Sequence, residues 1–253
     1  VLMYGCGIGP VNGEASRKRA ARVIDRNVDA ITLRENLSAE ELKAMGVTKP
    51  KVYVTADPAL LLEAGSEGAV DGFLLGNNID PAGRYALFVL REWQGFEAKK
   101  QAFVQSAKHV KEAYGLTPIF FALEPGRDLP PSREVAQELA FECPMLSAPA
   151  DEKLIIGMMK KMQVVVSMRL HALIFASSVA APLVAVSYDP KVTGFMHYIG
   201  QKHCVYFEDV TAENLCALID GALTERSEYS VDRLRALAAQ NEEIAKELLE
   251  EPI

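Results

Sequence analysis

The chain has 253 residues, of which 49% are hydrophobic and 24% are charged, and its formal net charge is −7. These fractions are typical of a globular protein and exclude a disordered tail, a collagen-like repeat and a small disulfide scaffold. The acidic balance argues against a general nucleic-acid binder, whose affinity would depend on a basic surface. The four cysteines lie far apart, which argues against a structural zinc site and is typical of a reducing cytoplasm.

Short apolar runs alternate with amphipathic segments from the start of the chain. A helix is predicted over 15–26, and a capping-box pattern beginning at Ser38 predicts a second, short helix that ends at Gly46. The stretch from Gly65 to Gly83 is rich in Gly, Asp, Asn and Pro, which predicts a domain boundary or linker. The strands predicted in this first part lie at 1–4, 30–33 and 52–55.

The same alternation continues after the linker. Further strands are predicted at 85–90, 118–123, 164–167, 183–187 and 204–206. Further helices are predicted at 96–114, 132–141, 152–161, 170–179, 192–199, 212–223 and 231–249. Strands that alternate with helices predict an α/β protein with parallel sheets covered on both faces. No segment has the uninterrupted apolar run that a membrane span needs.

Two consecutive buried strands end in polar side chains. Arg169 and His171 follow the first strand, and Asp189 and Lys191 follow the second. Because ligands of parallel α/β sheets bind at the carboxyl ends of strands, these side chains would meet on one rim if the strands are neighbours. Asp189 followed by Pro190 is typical of a helix cap, so Lys191 would stand beside free backbone N–H groups, which suits phosphate or carboxylate.

Each of these residues also has a structural alternative. Arg169 could pair with a core carboxylate, Lys191 could be a solvated lysine, and Asp189 is better explained as a cap than as an acid catalyst. Three other histidines have no partner that the sequence identifies: His109, His197 and His203.

Two more arginines, Arg34 and Arg91, also follow apolar strands. Alone, Arg34 would be explained by a salt bridge to Glu35 or Glu41. Three strand-end arginines together suit a dianionic substrate, because guanidinium groups bind carboxylates and phosphates through paired hydrogen bonds. The glycine-rich loop 5–10 could let the backbone approach a ligand closely, although its spacing is not that of a dinucleotide-binding loop.

The segments 168–176 (MRLHALIFA) and 188–192 (YDPKV) together resemble the signature of the polysaccharide pyruvyl transferase family, especially its bacterial cell-wall branch. The segments 5–10, 31–35 and 55–58 match in order. The resemblance implies a GT-B-like fold, in which two Rossmann-like parallel-sheet domains occur. It also implies transfer of pyruvate from phosphoenolpyruvate to a sugar residue, N-acetylmannosamine in this branch, of a lipid-linked cell-wall polysaccharide precursor. The product is a pyruvate ketal, and phosphate is released.

The resemblance also implies roles for single residues. His171 would be the catalytic histidine, Arg34 and Lys191 would bind the donor, and Arg169 belongs to the same motif as His171. The remaining candidate substrate-binding residues, taken from the strand ends and the glycine-rich loop, are Arg91, Gly7 and Gly9. No metal or cofactor is expected, since phosphoenolpyruvate is the donor substrate. We expect a cytoplasmic enzyme without a nucleic-acid partner or membrane span, for which peripheral association through the lipid-linked acceptor stays open.

The resemblance divides the chain unequally. Residues 1–83 are expected to form a partial N-terminal Rossmann-like domain with a linker, and 84–230 a C-terminal one. The helix within 231–253 would pack back on the first domain. Because family members have a longer N-terminal region, we expect a truncation there. Two alternatives stay open: a GT-B glycosyltransferase or sugar-nucleotide epimerase, and a non-catalytic fragment that only binds anions.

Overall fold

The computed structural model describes residues 1–149, 151–225 and 229–250. Its strands are β1 (Leu2–Cys6), β2 (Ala30–Leu33), β3 (Lys51–Val54), β4 (Tyr85–Val89), β5 (Thr117–Ala122), β6 (Met145–Ser147), β7 (Val164–Ser167), β8 (Leu183–Ser187) and β9 (Cys204–Tyr206). Its α-helices are α1 (Glu14–Asn27), α2 (Asn36–Met45), α3 (Glu67–Gly76), α4 (Phe96–Tyr114), α5 (Pro125–Gln137), α6 (Glu152–Lys160), α7 (Leu170–Ser178), α8 (Pro190–Tyr198), α9 (Ala212–Thr224) and α10 (Val231–Glu250). None of the described helices is long and apolar enough to cross a membrane.

The chain forms two compact units. Unit 1 comprises Val1–Leu61 and Ser230–Ile253, and unit 2 comprises Leu62–Tyr229. Helix α10 therefore belongs to unit 1, where it packs against β1 and a 3₁₀ helix, Pro58–Leu61. The described sheets of both units are entirely parallel, which confirms the predicted α/β class.

Unit 1 contains a sheet in the order β1-β2-β3. All four residues of β2 are buried, and α1 and α2 cover them with apolar side chains. The predicted cap of α2 at Ser38 is wrong: Glu35 is the N-cap, and its carboxylate accepts a hydrogen bond from the Ser38 amide at 3.1 Å. Ser38 is not free to cap, because its hydroxyl accepts a hydrogen bond from the Ile8 amide at 2.7 Å.

Unit 2 contains a sheet in the order β6-β5-β4-β7-β8-β9. Every residue of the central strands β4, β7 and β8 is buried, as their continuous apolar runs predict for strands that are covered on both faces. The main core includes large side chains from β4, α4 and β5, among them Phe88, Phe103 and Phe120.

Residues 65–83 are not the predicted linker. They contain α3, which begins with a cap from the Ser66 side chain and buries Val70 and Leu74. Helix α3 packs on α6, and the Gly65 amide donates to the Lys153 carbonyl at 2.7 Å. Since these contacts are all within unit 2, the boundary falls between Leu61 and Leu62 rather than after residue 83.

The region after β5 also differs from its prediction. The helix expected over 132–141 is α5, which begins at Pro125 and includes Pro130 and Pro131 in its interior. Proline usually ends a helix, so the sequence pattern favoured a later start. The short edge strand β6, which has only three residues, was not predicted.

Candidate functional site

The carboxyl ends of four neighbouring strands carry the polar side chains of unit 2. Strands β5, β4, β7 and β8 are adjacent and parallel, so their carboxyl ends lie at one edge of the sheet. The polar residues that follow these ends are Arg91 after β4, Glu124 and Asp128 after β5, Arg169 and His171 after β7, and Lys191 after β8. The prediction that the strands before Arg169 and Asp189 are neighbours is confirmed, since β7 pairs with β8.

Three arginines surround one carboxylate at this edge. The Glu124 Oε2 atom lies 3.3 Å from Arg91 Nη1 and 3.1 Å from Arg169 Nη1. The Glu124 Oε1 atom lies 3.4 Å from Arg127 Nε. A second carboxylate, Asp128, places Oδ1 3.3 Å from Arg169 Nη1. We call these five residues the arginine–carboxylate cluster.

Asp128 is the fixed member of this cluster. Its side chain is 0% exposed, and its Oδ2 atom accepts a hydrogen bond from the Glu124 amide at 2.8 Å. Burial raises the pKa of the Asp128 carboxyl, while that amide and the charge of Arg91 oppose the shift. Arg169 thus has the buried carboxylate partner that the structural alternative required. Sequence reasoning missed Glu124 and Asp128, although both follow a buried strand as Arg91 does.

Arg169 also forms the turn from β7 into α7. It is the N-cap of α7 with extended backbone, and its amide donates to the Ser167 hydroxyl at 2.8 Å. His171 is the second residue of α7 and is exposed. Its ring centroid lies 6.4 Å from that of Phe175, one turn further along the helix. The histidine therefore stands at the start of a helix, beside the arginine-bearing turn.

Lys191 occupies the corresponding place on α8. Asp189 is confirmed as the N-cap: its Oδ1 atom accepts from the Lys191 amide at 3.0 Å, and Pro190 follows as the first helical residue. The Asp189 Oδ2 atom lies 3.3 Å from Lys191 Nζ. The exposed ammonium group is thus held near the start of α8.

An aromatic pair that the sequence did not indicate adjoins the cluster. The rings of Trp93 and Tyr188 lie 4.5 Å apart between centroids, and Arg91 Cζ lies 5.6 Å from the Tyr188 centroid. Burial raises the pKa of the Tyr188 hydroxyl, with Arg91 and Lys191 opposing it. Trp93 is exposed and is the only tryptophan of the chain, which makes it a fluorescent reporter for this edge.

In unit 1, Arg34 follows β2 and pairs with Asp57, which follows β3. The Nη1–Oδ2 distance is 3.0 Å. The predicted partners Glu35 and Glu41 are both wrong, since Glu35 caps α2 and Glu41 pairs with Arg17. Strands β2 and β3 are parallel neighbours, and this brings the two strand ends together.

Gly7 and Gly9 lie in the loop after β1. A Cβ atom on Gly7 would stand 3.1 Å from both Arg34 Nε and Nη2, so the glycine leaves room for the guanidinium. Gly9 has a φ of +82°, a conformation that favours glycine. The loop amides of Ile8 and Val11 donate to Ser38 and Glu41, so these two donors already have protein partners. The glycines thus shape the loop and accommodate Arg34.

Two of the other histidines have partners that were not identified from the sequence. His109 Nε2 lies 2.5 Å from Asp220 Oδ1, and His203 Nε2 lies 3.4 Å from Glu225 Oε2. These contacts give structural explanations for both residues.

A family model described as polysaccharide pyruvyl transferase matches residues 1–190. The chain belongs to this family. As a member it is a transferase of the pyruvyl transferase class, and the matched range includes unit 1 up to Leu61 and unit 2 through β8.

Solved structures show the same GT-B-like fold. UDP-GlcNAc 2-epimerase from Methanocaldococcus jannaschii has a TM-score of 0.67 at 12% identity, covering 98% of this chain and 69% of that chain. A glycosyltransferase from Rickettsia africae has a TM-score of 0.62 at 14% identity, covering 97% and 70%. Anabaena HepE with UDP-glucose has a TM-score of 0.63 at 14% identity, covering 98% and 71%. At these identities the likeness concerns the fold.

Both pyruvyl transferase signature segments lie in unit 2. Segment 168–176 forms the turn after β7 and most of α7, and segment 188–192 forms the turn after β8 and the start of α8. The structure brings Arg91 and Arg169 onto one carboxylate. It places His171 and Lys191 at the same edge of the sheet. The candidate residues of unit 1 form their own group: Arg34, Gly7 and Gly9.

Proposed function

We propose that this pyruvyl transferase transfers the pyruvyl group of phosphoenolpyruvate to a sugar residue of a lipid-linked cell-wall polysaccharide precursor, with N-acetylmannosamine as the sugar. The observation that carries the proposal is the meeting of Arg91 and Arg169 on one carboxylate, at the sheet edge that also bears His171. Family membership supports pyruvyl transfer, and this edge offers the chemistry that the donor requires.

The donor carries a phosphate and a carboxylate, which require cationic partners. Arg91 and Arg169 supply guanidinium groups suited to paired hydrogen bonds with either anion. Lys191 adds an exposed ammonium group at the start of α8. Helix starts favour anions because their first amides have no partner within the helix. In unit 1, Arg34 is proposed as a further donor-binding residue, supported by the close fit of Gly7; Gly9 shapes the same loop.

His171 is proposed as the general acid. Histidine side chains ordinarily change charge near neutral pH, which suits proton transfer. The imidazolium would give a proton to the methylene carbon of phosphoenolpyruvate, which becomes a methyl group and leaves the central carbon electrophilic. One sugar hydroxyl oxygen then bonds to that carbon. The carbon–oxygen bond to phosphate breaks, and the second hydroxyl closes the ketal.

The protons balance across these steps. The two sugar hydroxyls release two protons: one restores the imidazolium, and the other leaves on inorganic phosphate. Arg91, Arg169 and Lys191 would stabilise the charge that develops on the leaving phosphate. The described residues thus supply an acid and a set of anion-binding groups within one unit.

The test is phosphate release from phosphoenolpyruvate with a lipid-linked acceptor that contains N-acetylmannosamine. His171→Gln should lower kcat at least about 100-fold, in the range expected for loss of a general acid. His197→Gln is the matched control, since His197 is also exposed and lies in α8 of the same unit. Wild-type turnover in His171→Gln would refute the assigned acid.

The fold likeness to enzymes that use UDP-sugars favours one alternative, a glycosyltransferase or sugar-nucleotide epimerase. Binding of UDP-GlcNAc without binding of phosphoenolpyruvate would support it. A non-catalytic anion-binding fragment would bind phosphate and leave phosphoenolpyruvate unchanged at high protein concentration. The proposed cytoplasmic setting is supported by the scattered free cysteines, and the proposed peripheral membrane association follows from the lipid-linked acceptor. Binding to vesicles that carry this acceptor would test the association.

A further inference from the structure

The Glu124 carboxylate lies where an anionic ligand of the arginines would bind. Arg91 and Arg169 both place Nη1 within 3.3 Å of its Oε2 atom, and Arg127 approaches Oε1. Arg91 and Arg169 are largely buried, with side-chain exposures of 14% and 18%. A ligand phosphate or carboxylate that binds both guanidinium groups at these nitrogens therefore needs the position of Glu124.

The two carboxylates of the cluster differ in how firmly they are held. Asp128 is fully buried and accepts a backbone amide through its second oxygen. The Glu124 side chain is 48% exposed, and although Glu124 is the N-cap residue of α5, its side chain caps no amide within the described chain. Among the described contacts, only guanidinium groups hold the Glu124 carboxylate. It can therefore turn towards solvent without breaking the start of α5.

Charge explains why such a movement would matter. Arg91 and Arg169 carry two positive charges, and Glu124 and Asp128 neutralise both, if all four are ionised. Arg127 is mostly exposed and adds a third positive charge at the rim. With Glu124 in place, the buried guanidinium groups have no net charge left to attract a dianion. When Glu124 leaves, a positive charge and a geometrically suitable position become available together.

We propose that Glu124 occupies the donor's anion position in the free protein, that the donor displaces it, and that Glu124 thereby sets the affinity of this edge for anions. Part of this inference rests on the proposed function, since it takes phosphoenolpyruvate as the natural anion. The displacement of Glu124 by an anion, which we call the exchange, applies to any phosphate or carboxylate ligand. Glu124 is thus an affinity-determining residue of the arginine–carboxylate cluster. Asp128 stays in place as the counter-ion of Arg169.

The experiment is calorimetric titration of wild type, Glu124→Gln and Glu92→Gln with phosphoenolpyruvate and, separately, with inorganic phosphate. Trp93 fluorescence gives a second readout beside the cluster. Glu92 is the matched control: it is exposed, follows Arg91 directly and has no side-chain ion pair among the described residues. The Glu92→Gln substitution removes one negative charge from the same edge of the sheet without vacating the position of the Glu124 carboxylate.

Glu124→Gln should bind both anions about fivefold more tightly than Glu92→Gln, the gain expected from removing one half-exposed competing ion pair. A merely structural Glu124 would predict the opposite, weaker binding with a lowered melting temperature. Equal or weaker binding of both anions by Glu124→Gln than by Glu92→Gln overturns the exchange. Tighter phosphate binding by Glu124→Gln supports the exchange; if wild type then releases no phosphate from phosphoenolpyruvate in the presence of the lipid-linked acceptor, the proposed function is refuted while the exchange stands.

Discussion

The two units build an arginine–carboxylate pair in the same way and hold it differently. In unit 1, Arg34 follows β2 and Asp57 follows its parallel neighbour β3. In unit 2, Arg91 follows β4 and Glu124 follows its parallel neighbour β5. The same strand-end pattern therefore produces an ion pair in both places.

The difference lies in the second oxygen of each carboxylate. Asp57 is 8% exposed: its Oδ2 atom accepts from Arg34, and its Oδ1 atom accepts from the Ala59 amide at 3.0 Å in the 3₁₀ helix. Glu124 is half exposed, and among the described residues its carboxylate contacts guanidinium groups alone. A carboxylate that also holds the backbone is a fixed part of the fold, whereas one that touches only arginines can be exchanged for a ligand.

The largest expected difference concerns removal of each carboxylate. Asp57→Ala should lower the free energy of unfolding by about 3 kcal/mol, because it leaves a largely buried guanidinium without its partner. Glu124→Ala should cost less, about 1 kcal/mol, because Glu124 is half exposed and holds no backbone amide. The buried Asp128 carboxylate also stays paired with Arg169, and its charge still acts on Arg91. Urea unfolding followed by circular dichroism measures both.

Asp57→Asn is the control for this comparison, because its amide oxygen can still accept from the Ala59 amide. It should lose less stability than Asp57→Ala. Equal losses for Asp57→Ala and Glu124→Ala would contradict the distinction between a fixed and an exchangeable carboxylate.

A smaller effect is expected from filling the space beside Arg34. Gly7→Ala places a Cβ 3.1 Å from two guanidinium nitrogens and should cost about 1–2 kcal/mol as the arginine shifts away from Asp57. Gly126→Ala is its counterpart in unit 2, at the start of α5, where nothing lies within 4 Å of the added Cβ. There alanine should be neutral or slightly stabilising. Thermal unfolding of both variants checks the contrast, and a neutral Gly7→Ala would argue against a tightly fitted Arg34.

The smallest expected effect is the dependence of stability on pH. All four histidines lie in unit 2, so any contribution of histidine to this dependence arises there. Burial lowers the pKa of His203 from 6.5, against the opposing charge of Glu225. As the pH is lowered, the unfolded chain protonates this histidine before the folded protein does. The contribution of His203 to the free energy of unfolding is therefore fully present above pH 6.5 and is lost as the pH falls below that value. His203→Gln should lose less stability than wild type between pH 7 and 5, as measured by urea midpoints. A steeper loss in the variant would contradict this sign.

Much of the fold could be predicted from hydrophobic patterning. The buried runs of β2, β4, β7 and β8 gave clear strand signals, since each is apolar and closely followed by a polar or helical segment. Residues 65–83 show where composition misleads. Their glycines and polar residues predicted a linker, yet α3 buries Val70 and Leu74 and packs on α6 of unit 2.

The site was predictable only in part. Strand-end position identified Arg34, Arg91 and Arg169, because every parallel strand delivers its next residues to the same edge. Their partners could not be assigned before the strand order was known. Glu35 and Glu41 are nearer to Arg34 in sequence, but Asp57 is nearer across the sheet. Glu124 was missed for the same reason, since only the pairing of β4 with β5 brings it to Arg91.

The most direct test of the proposed transfer is to run the reaction in deuterium oxide and examine the methyl group of the product by NMR and mass spectrometry. Protonation of the methylene carbon of phosphoenolpyruvate before ketal closure predicts one deuterium in each product methyl group. It also predicts one inorganic phosphate released for each ketal formed. Phosphate release without a ketal, or a ketal whose methyl group carries no deuterium, would contradict the account.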